Sequence, residues 1–437
     1  MKPHRLKENI KTFALTLLVI VSVVFSVIVW NGTPTDVVVG RSHFFSSPLY
    51  GHERLVSDFV KPSAIWIWTN DNELFRLSGE SQTAQAILES LQQAQVQFQG
   101  VVNESTFILP PSHGPYIALD FGQLLSDGSL WSYALPTFNA NGESFASGLI
   151  YLTPGPGSGK WSVYFQTQEG VYRIQLTGVS TDLASALTPN DESVPYAQLT
   201  FDHQIVNLPY DSLTMRTQTW ILADPSPMPI VNSFFRDPSL IQSLSINPKT
   251  SVYTDGTREV QLIRHSLGFE LYYQAPEFPL QGYHETSYEA LSEAVPFLDS
   301  HGGFVGHEVL QQVLQYPKLG KVQLLFCEED NGWPLFSELN RIAIHLTNGE
   351  VSQVQRLLPY LQSEVAEQEV HILSGAQLLQ VLKSLHLQDV HSITLGYGSK
   401  LETLNEVQLV PVYRVVNGTD ILYFNARTGK LFHGMGM

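Results

Sequence analysis

Four short stretches carry side chains whose types and spacing could do chemistry. Gly155-Pro-Gly-Ser-Gly-Lys160 has the glycines and lysine of a phosphate-cradling loop. The G-x-x-x-x-G-K-[ST] spacing, however, puts Pro154 in the first glycine position and Trp161 where the metal-binding hydroxyl belongs, so a flexible hairpin tip is expected. His307-Glu308 opens a zinc-protease pattern, but Gln311 stands where the second histidine is required. His301 and His307 flank Gly302-Gly303, which reads as a helix C-terminus followed by a loop. Glu328-Glu329-Asp330 gathers three carboxylates able to hold a cation or move a proton; beside Asn331-Gly332 they read as a solvated hairpin turn. Cys327 is the single cysteine, which excludes an intrachain disulfide or a multi-cysteine metal site. Its setting, Val322-Gln-Leu-Leu-Phe-Cys327, predicts a buried strand residue. No G-x-S-x-G elbow is present. The expectation is no catalytic residue, no cofactor and no metal.

The elements around these stretches indicate an α+β body with mostly antiparallel sheets. Residues 31–62 lack periodicity and read as a juxtamembrane stalk. A first α+β domain is expected over 63–207. It opens with the β-rich run Ala64-Ile-Trp-Ile-Trp-Thr69 and a helix after Ser81 with Ala84, Ile87, Leu88, Leu91 and Ala94 on one face. Strands follow at Tyr116–Phe121, Gly148–Leu152, Trp161–Gln166 and Val171–Leu176, the last two around a Glu169-Gly170 turn. Six prolines in 208–250 predict a linker, with a short helix at Ser233–Ser243. Tyr253-Thr-Asp-Gly-Thr-Arg258 predicts a type I′ turn at Asp255-Gly256.

Residues 251–360 and 361–437 read as a tandem duplication of a helix followed by a meander. In the first copy Thr286-Ser-Tyr-Glu289 is a capping box ahead of Leu291, Ala294, Val295 and Leu298. Trp333-Pro-Leu-Phe336, Arg341–Leu346 and the turn Thr347-Asn-Gly-Glu350 follow. The second copy carries Leu378, Leu379, Leu382 and Leu385, then Val410-Pro-Val-Tyr413, the Asn417-Gly418 turn and Ile421–Ala426. Pro334 is aligned with Pro411, and Gly349 with Gly429.

The 437 residues carry 24 basic and 41 acidic side chains, a net charge of -17. The first 30 residues hold Lys2, Arg5, Lys7 and Lys11 against Glu8, so the remainder is more acidic still. A body of that charge repels polyphosphate, which argues against nucleic-acid binding. Phe13 to Trp30 is an uncharged run rich in Leu, Ile, Val and Phe. At 1.5 Å per residue it spans about 27 Å, close to a bilayer core. Basic residues before it predict a cytoplasmic tail at 1–11, a transmembrane helix at 12–30 and an extracellular remainder. The run ends Val29-Trp30-Asn31 without the small residues of a signal-peptidase site, so an uncleaved anchor is expected. Ser22 and Ser26 share one helix face at small-xxx-small spacing, with Trp30 at the interface.

The basic tail and span, Phe235-Arg-Asp-Pro-Ser239, Tyr253-Thr-Asp-Gly256, His301-Gly-Gly303 and Gly332-Trp-Pro-Leu-Phe336 together resemble the YycH family of Firmicutes. Pro411-Val-Tyr-Arg414 through Gly429 is similar to PepSY-type and YycI-type modules. The resemblance implies a three-domain ectodomain whose last two domains are similar to those of YycI. It also implies a noncatalytic role: association with a YycI-like protein and the sensor histidine kinase WalK (YycG) at the cytoplasmic membrane, tuning cell-wall metabolism. Ser22, Ser26 and Trp30 are then the expected contact face. Two other readings stand beside it: an anchored PepSY-like binding module or protease inhibitor, and an envelope enzyme built on an unrecognised carboxylate pair.

Overall fold

The computed structural model describes residues 21–22, 50–101, 109–111, 114–122, 124–125, 128–131, 145–167, 170–277 and 285–434. Residues 1–44 and 45–437 separate into two units, and every element below belongs to the second. Among the described residues no helix is long and apolar enough to cross a membrane. The expected span lies outside the described residues except for Val21 and Ser22, which are helical and exposed.

Nine strands form the first sheet: β1 (Ala64–Trp68), β2 (Leu74–Ser78), β3 (Gln95–Val101), β4 (Tyr116–Asp120), β5 (Phe145–Pro154), β6 (Trp161–Thr167), β7 (Val171–Thr177), β8 (Val194–Phe201) and β9 (Gln204–Pro209). Their order is β3-β7-β6-β5-β4-β1-β2-β8-β9, with every neighbour antiparallel. Period-2 alternation decides the faces of β1. Ile65 and Ile67 are fully buried in the main core, whereas Trp66 and Trp68 lie against the smaller cluster of Tyr116, Tyr151 and Tyr164. Helix α1 (Gln82–Gln93) starts where expected, because Ser81 accepts a hydrogen bond from the Ala84 amide at 3.1 Å. Its buried stripe is Ala84, Ile87 and Leu91; burying each of the two larger side chains contributes about 1.5–3 kcal/mol. The short helix α2 (Thr181–Ser185) packs beside it. The glycine-rich Gly155–Lys160 segment is the β5–β6 hairpin tip, closed by Gly155 N–H donating to the Lys160 carbonyl at 2.8 Å. Gly170 closes the β6–β7 hairpin with Thr167, while Glu169 lies outside the described residues.

Fourteen further strands continue the chain: β10 (Thr214–Ala223), β11 (Gln242–Asn247), β12 (Thr250–Thr254), β13 (Glu259–Arg264), β14 (Phe269–Gln274), β15 (Glu308–Tyr316), β16 (Lys321–Asp330), β17 (Trp333–Phe336), β18 (Ile342–Thr347), β19 (Glu350–Leu357), β20 (Tyr360–His371), β21 (Val390–Thr403), β22 (Glu406–Asn417) and β23 (Asp420–Asn425). They join as β11-β12-β13-β14-β19-β18-β16-β17-β21-β22-β10-β20, with β15 on β16 and β23 on β22. Three helices accompany them: α3 (Pro227–Ser233), α4 (Ser287–Ser300) and α5 (Gly375–Ser384). The capping box of α4 forms as expected, with Thr286 and Glu289 each bonding the other's amide.

Three expectations for residues 208–258 need correction. The stretch 208–250 is not devoid of regular structure: it holds β10, α3 and β11, and β10 is an interior strand between β20 and β22. Its prolines sit where a missing N–H is harmless, Pro227 and Pro238 opening helical turns and Pro209 ending β9. The short helix therefore lies at Pro227–Ser233 rather than Ser233–Ser243, which instead leads into β11. The Asp255-Gly256 turn is not type I′. The β12–β13 connection is four residues long, and only Gly256 has positive φ. Asp255 builds it by accepting from the Thr257 and Arg258 amides, both at 2.9 Å.

A helix followed by an antiparallel meander does occur twice, as α4 with β15, β16, β18 and β19 and as α5 with β21, β22 and β23. The aligned prolines are not equivalent. Pro334 lies in the four-residue β17, and Pro411 lies inside β22. Pro411 is tolerated there because β22 changes neighbours at that point, pairing β10 through Leu409 and β23 from Val412 onwards. The two halves of the second sheet meet where β17 pairs parallel with β21.

Candidate functional site

The first sheet and the second are held together partly by one hairpin. Asn331 and Gly332, at φ of 51° and 75°, turn β16 into β17. The turn presses on β2 so closely that a Cβ on Gly332 would lie 1.9 Å from Ser78 Oγ. Arg76 of β2 donates from Nη2 to the Gly332 carbonyl at 2.7 Å and stacks over the Trp333 ring at 4.1 Å. An aromatic contact of Phe59, Phe304 and Phe326, with centroids 4.8 to 5.5 Å apart, continues the main core across the same junction.

Between these contacts lies a cleft of about 470 Å³. Trp66, Arg76 and Tyr196 of the first sheet wall one side, and Leu310, Cys327, Glu329 and Trp333 the other. His391 to Leu395 at the start of β21 close one end. Trp66 and Tyr196 pack edge to face at 5.2 Å. A second cavity of about 380 Å³ adjoins it, and both are bordered by Glu80, Glu328 and Glu329.

The carboxylates expected to be solvated are in fact buried. Glu328 is 8% exposed and Glu329 9%, and both belong to β16 rather than to the turn. The alternation of Val322, Leu324 and Phe326 carries on to Glu328 and places it on the core face. Glu328 accepts from Asn340 Nδ2 at 2.7 Å and from the His307 amide at 3.1 Å. Burial and the neighbouring Glu308 still push its carboxyl up to about 7. Glu329 is likewise pushed up to about 7, by burial and then by the charge of Glu80, with Arg76 acting in the opposite sense. Its carboxylate makes no hydrogen bond or ion pair among the described residues. Asp120, at the end of β4, is raised by burial although it accepts from the Gly122 amide at 3.0 Å and from Trp66 Nε1 at 3.5 Å.

The other sequence candidates are placed differently. Cys327 is buried, as expected; its thiol donates to Gln311 Oε1 at 3.1 Å, and burial raises it to about 11, which keeps it protonated. His307-Glu308 opens a strand, not the helix a zinc-protease pattern requires, and Glu308 turns inward to accept from the Val305 and Gly306 amides. His301 does cap the C-terminus of α4, stacked between Phe234 and Phe297. Among the described residues no group of three or more metal-ligating side chains is found. Of the expected contact face, Ser22 is helical and exposed, while Ser26 and Trp30 lie outside the described residues.

Two of the quoted motifs meet away from the cleft, at Phe234, the residue that precedes Phe235-Arg-Asp-Pro-Ser239. Phe234 and Phe235 are fully buried, Arg258 reaches the Phe234 carbonyl at 3.5 Å, and His301 stacks on Phe234 with centroids 4.3 Å apart. Gly332-Trp-Pro-Leu-Phe336 is the hairpin that walls the cleft. The model of the YycH protein N-terminal domain matches residues 8–126, and that of the YycH protein C-terminal domain matches residues 203–419. The chain belongs to the YycH family. The crystal structure of YycH from Bacillus subtilis superposes with a TM-score of 0.67 at 14% identity, covering 85% of this chain and 98% of that one. At that identity the likeness shows a shared fold. An uncharacterized protein from Eubacterium rectale gives a TM-score of 0.38 at 12% identity, over 55% of this chain and 93% of its own. The Bacillus megaterium YpeB C-terminal domain gives 0.25 at 15% identity, over 44% and 85%. No curated protein matches the chain.

Sequence reasoning on this YycH-family chain missed the cleft because its walls come from segments far apart in sequence. Arg76 and Gly332 are separated by 256 positions. The signal for Glu328 was present in the alternating Lys321–Asp330 strand, and the adjacent Asn331-Gly332 turn masked it.

Proposed function

We propose that the chain is a membrane-anchored, noncatalytic regulator of the sensor histidine kinase WalK (YycG), acting with a YycI-like protein to control cell-wall metabolism. The observation that carries this reading is the pair of family matches over 8–126 and 203–419, the first of which includes the apolar run Phe13–Trp30. Residues 1–11 are cytoplasmic, 12–30 cross the membrane, and the two-sheet body is extracellular. In this reading the signal passes laterally, through helix contacts in the bilayer. Ser22, Ser26 and Trp30 form the contact face. The C-terminal portion is PepSY-like and YycI-like.

Substituting Ser22→Leu together with Ser26→Leu tests the face. Co-purification of the kinase is expected to fall at least several-fold while the amount of membrane-bound protein stays constant. Unchanged co-purification removes these serines from the interface. An anchored extracellular binding module is the second reading, favoured by the cleft of about 470 Å³. The two are compatible, because a ligand that binds two arrangements of the complex unequally shifts their populations.

A further inference from the structure

We propose that the cleft between the two sheets receives a primary ammonium group on an aliphatic chain, of the kind a lysine side chain presents, and that Glu329 is its acceptor. The volume, about 470 Å³, falls within the range of small-ligand sites. Glu329 is 9% exposed, borders both cavities, and has no hydrogen-bond or ion-pair partner among the described residues. An ionised carboxylate held that way is costly, so the group either keeps its proton or takes a bound cation.

The nearby cation does not fill this role. Arg76 is committed to the Gly332 carbonyl and the Trp333 ring. Two other carboxylates on the cleft wall are occupied: buried Glu328 by Asn340 and the His307 amide, and half-buried Asp120 by Gly122 and Trp66. Glu329 is the one open buried carboxylate on the cleft wall, and the exposed Glu80 is the only other one there without a partner among the described residues. A compact ammonium therefore fits better than a guanidinium, whose five donors would be left mostly unmet. A divalent metal would lack ligands, since the described residues supply no cluster of three. Leu310 and the indoles of Trp66 and Trp333 give the aliphatic stem an apolar wall.

The inference goes beyond kinase regulation and does not depend on it, because binding is measured on the chain alone. Full-length protein in detergent micelles is titrated calorimetrically near neutral pH with N-acetyl-lysine methylamide and with its norleucine and arginine counterparts. Saturable binding of the lysine probe is expected, at least tenfold tighter than either counterpart. Glu329→Gln is expected to weaken lysine binding at least tenfold, whereas Glu364→Gln, on exposed β20, leaves it unchanged. The lysine–norleucine contrast needs no variant, so it decides even where a substitution impairs folding. Equal binding of the two probes, no binding by wild type up to about 10 mM, or undiminished binding by a folded Glu329→Gln protein overturns the proposal.

Discussion

Glu328 and Glu329 are adjacent on one strand, point to opposite faces, and are both held protonated up to about pH 7 by burial. Glu285 is raised to about 7 and Asp299 to about 6 for the same primary reason. Each carboxyl binds more protons folded than unfolded between its ordinary value and its raised one, so each lowers stability as pH rises through that window. His301, lowered to about 4 by burial, works the other way, but only up to about 6.5, where the unfolded imidazole loses its proton. Above about 6.5 the carboxylates act alone, and the unfolding free energy is expected to fall from pH 6.5 to pH 8. Glu329→Gln removes one of them. It should make the decline shallower and raise stability at pH 8 by about 1–3 kcal/mol. Urea melts at a series of pH values check this; a variant less stable than wild type at pH 8 would show that the carboxylate is paired.

The β16–β17 hairpin is the element on which the cleft depends. Gly332 is required twice, by its φ of 75° and by the approach of Ser78. Gly332→Ala is expected to destabilise the protein by about 2–4 kcal/mol and to disturb the Arg76–Trp333 stack, seen as a shifted tryptophan emission. A loss below about 0.5 kcal/mol would mean the hairpin does not fasten the sheets. Gly396 is the corresponding close approach within the second sheet, where a Cβ would lie 2.4 Å from the Pro334 carbonyl beside the β17–β21 pairing. Local signals made the isolated elements legible in the sequence. Ser81 and Thr286 mark their helices, alternation marks β1, and Asn348-Gly349 marks the β18–β19 hairpin. Pairings between distant strands were not legible, because period 2 fixes which face a residue takes and not which strand lies beside it. Strand β10 was hidden by flanking prolines, and the Arg76–Gly332 contact by chain separation. The buried Glu329 could not be read either, since a carboxylate beside Asn-Gly is more often solvated.

At the scale of the whole molecule, an acidic body built from two sheets follows an apolar run long enough to cross a bilayer. If signalling is lateral, the body's fold is independent of the proposed membrane span and of its proposed partner. Replacing Phe13–Trp30 with an unrelated transmembrane sequence of equal length separates the two. The decisive measurement is co-purification of the sensor kinase from solubilised membranes with the span-swapped chain, compared with the native chain at equal abundance. Lateral signalling predicts that the swapped chain remains in the membrane, unfolds at the native temperature and captures at most about a tenth of the kinase. Kinase capture equal to the native chain's would contradict it.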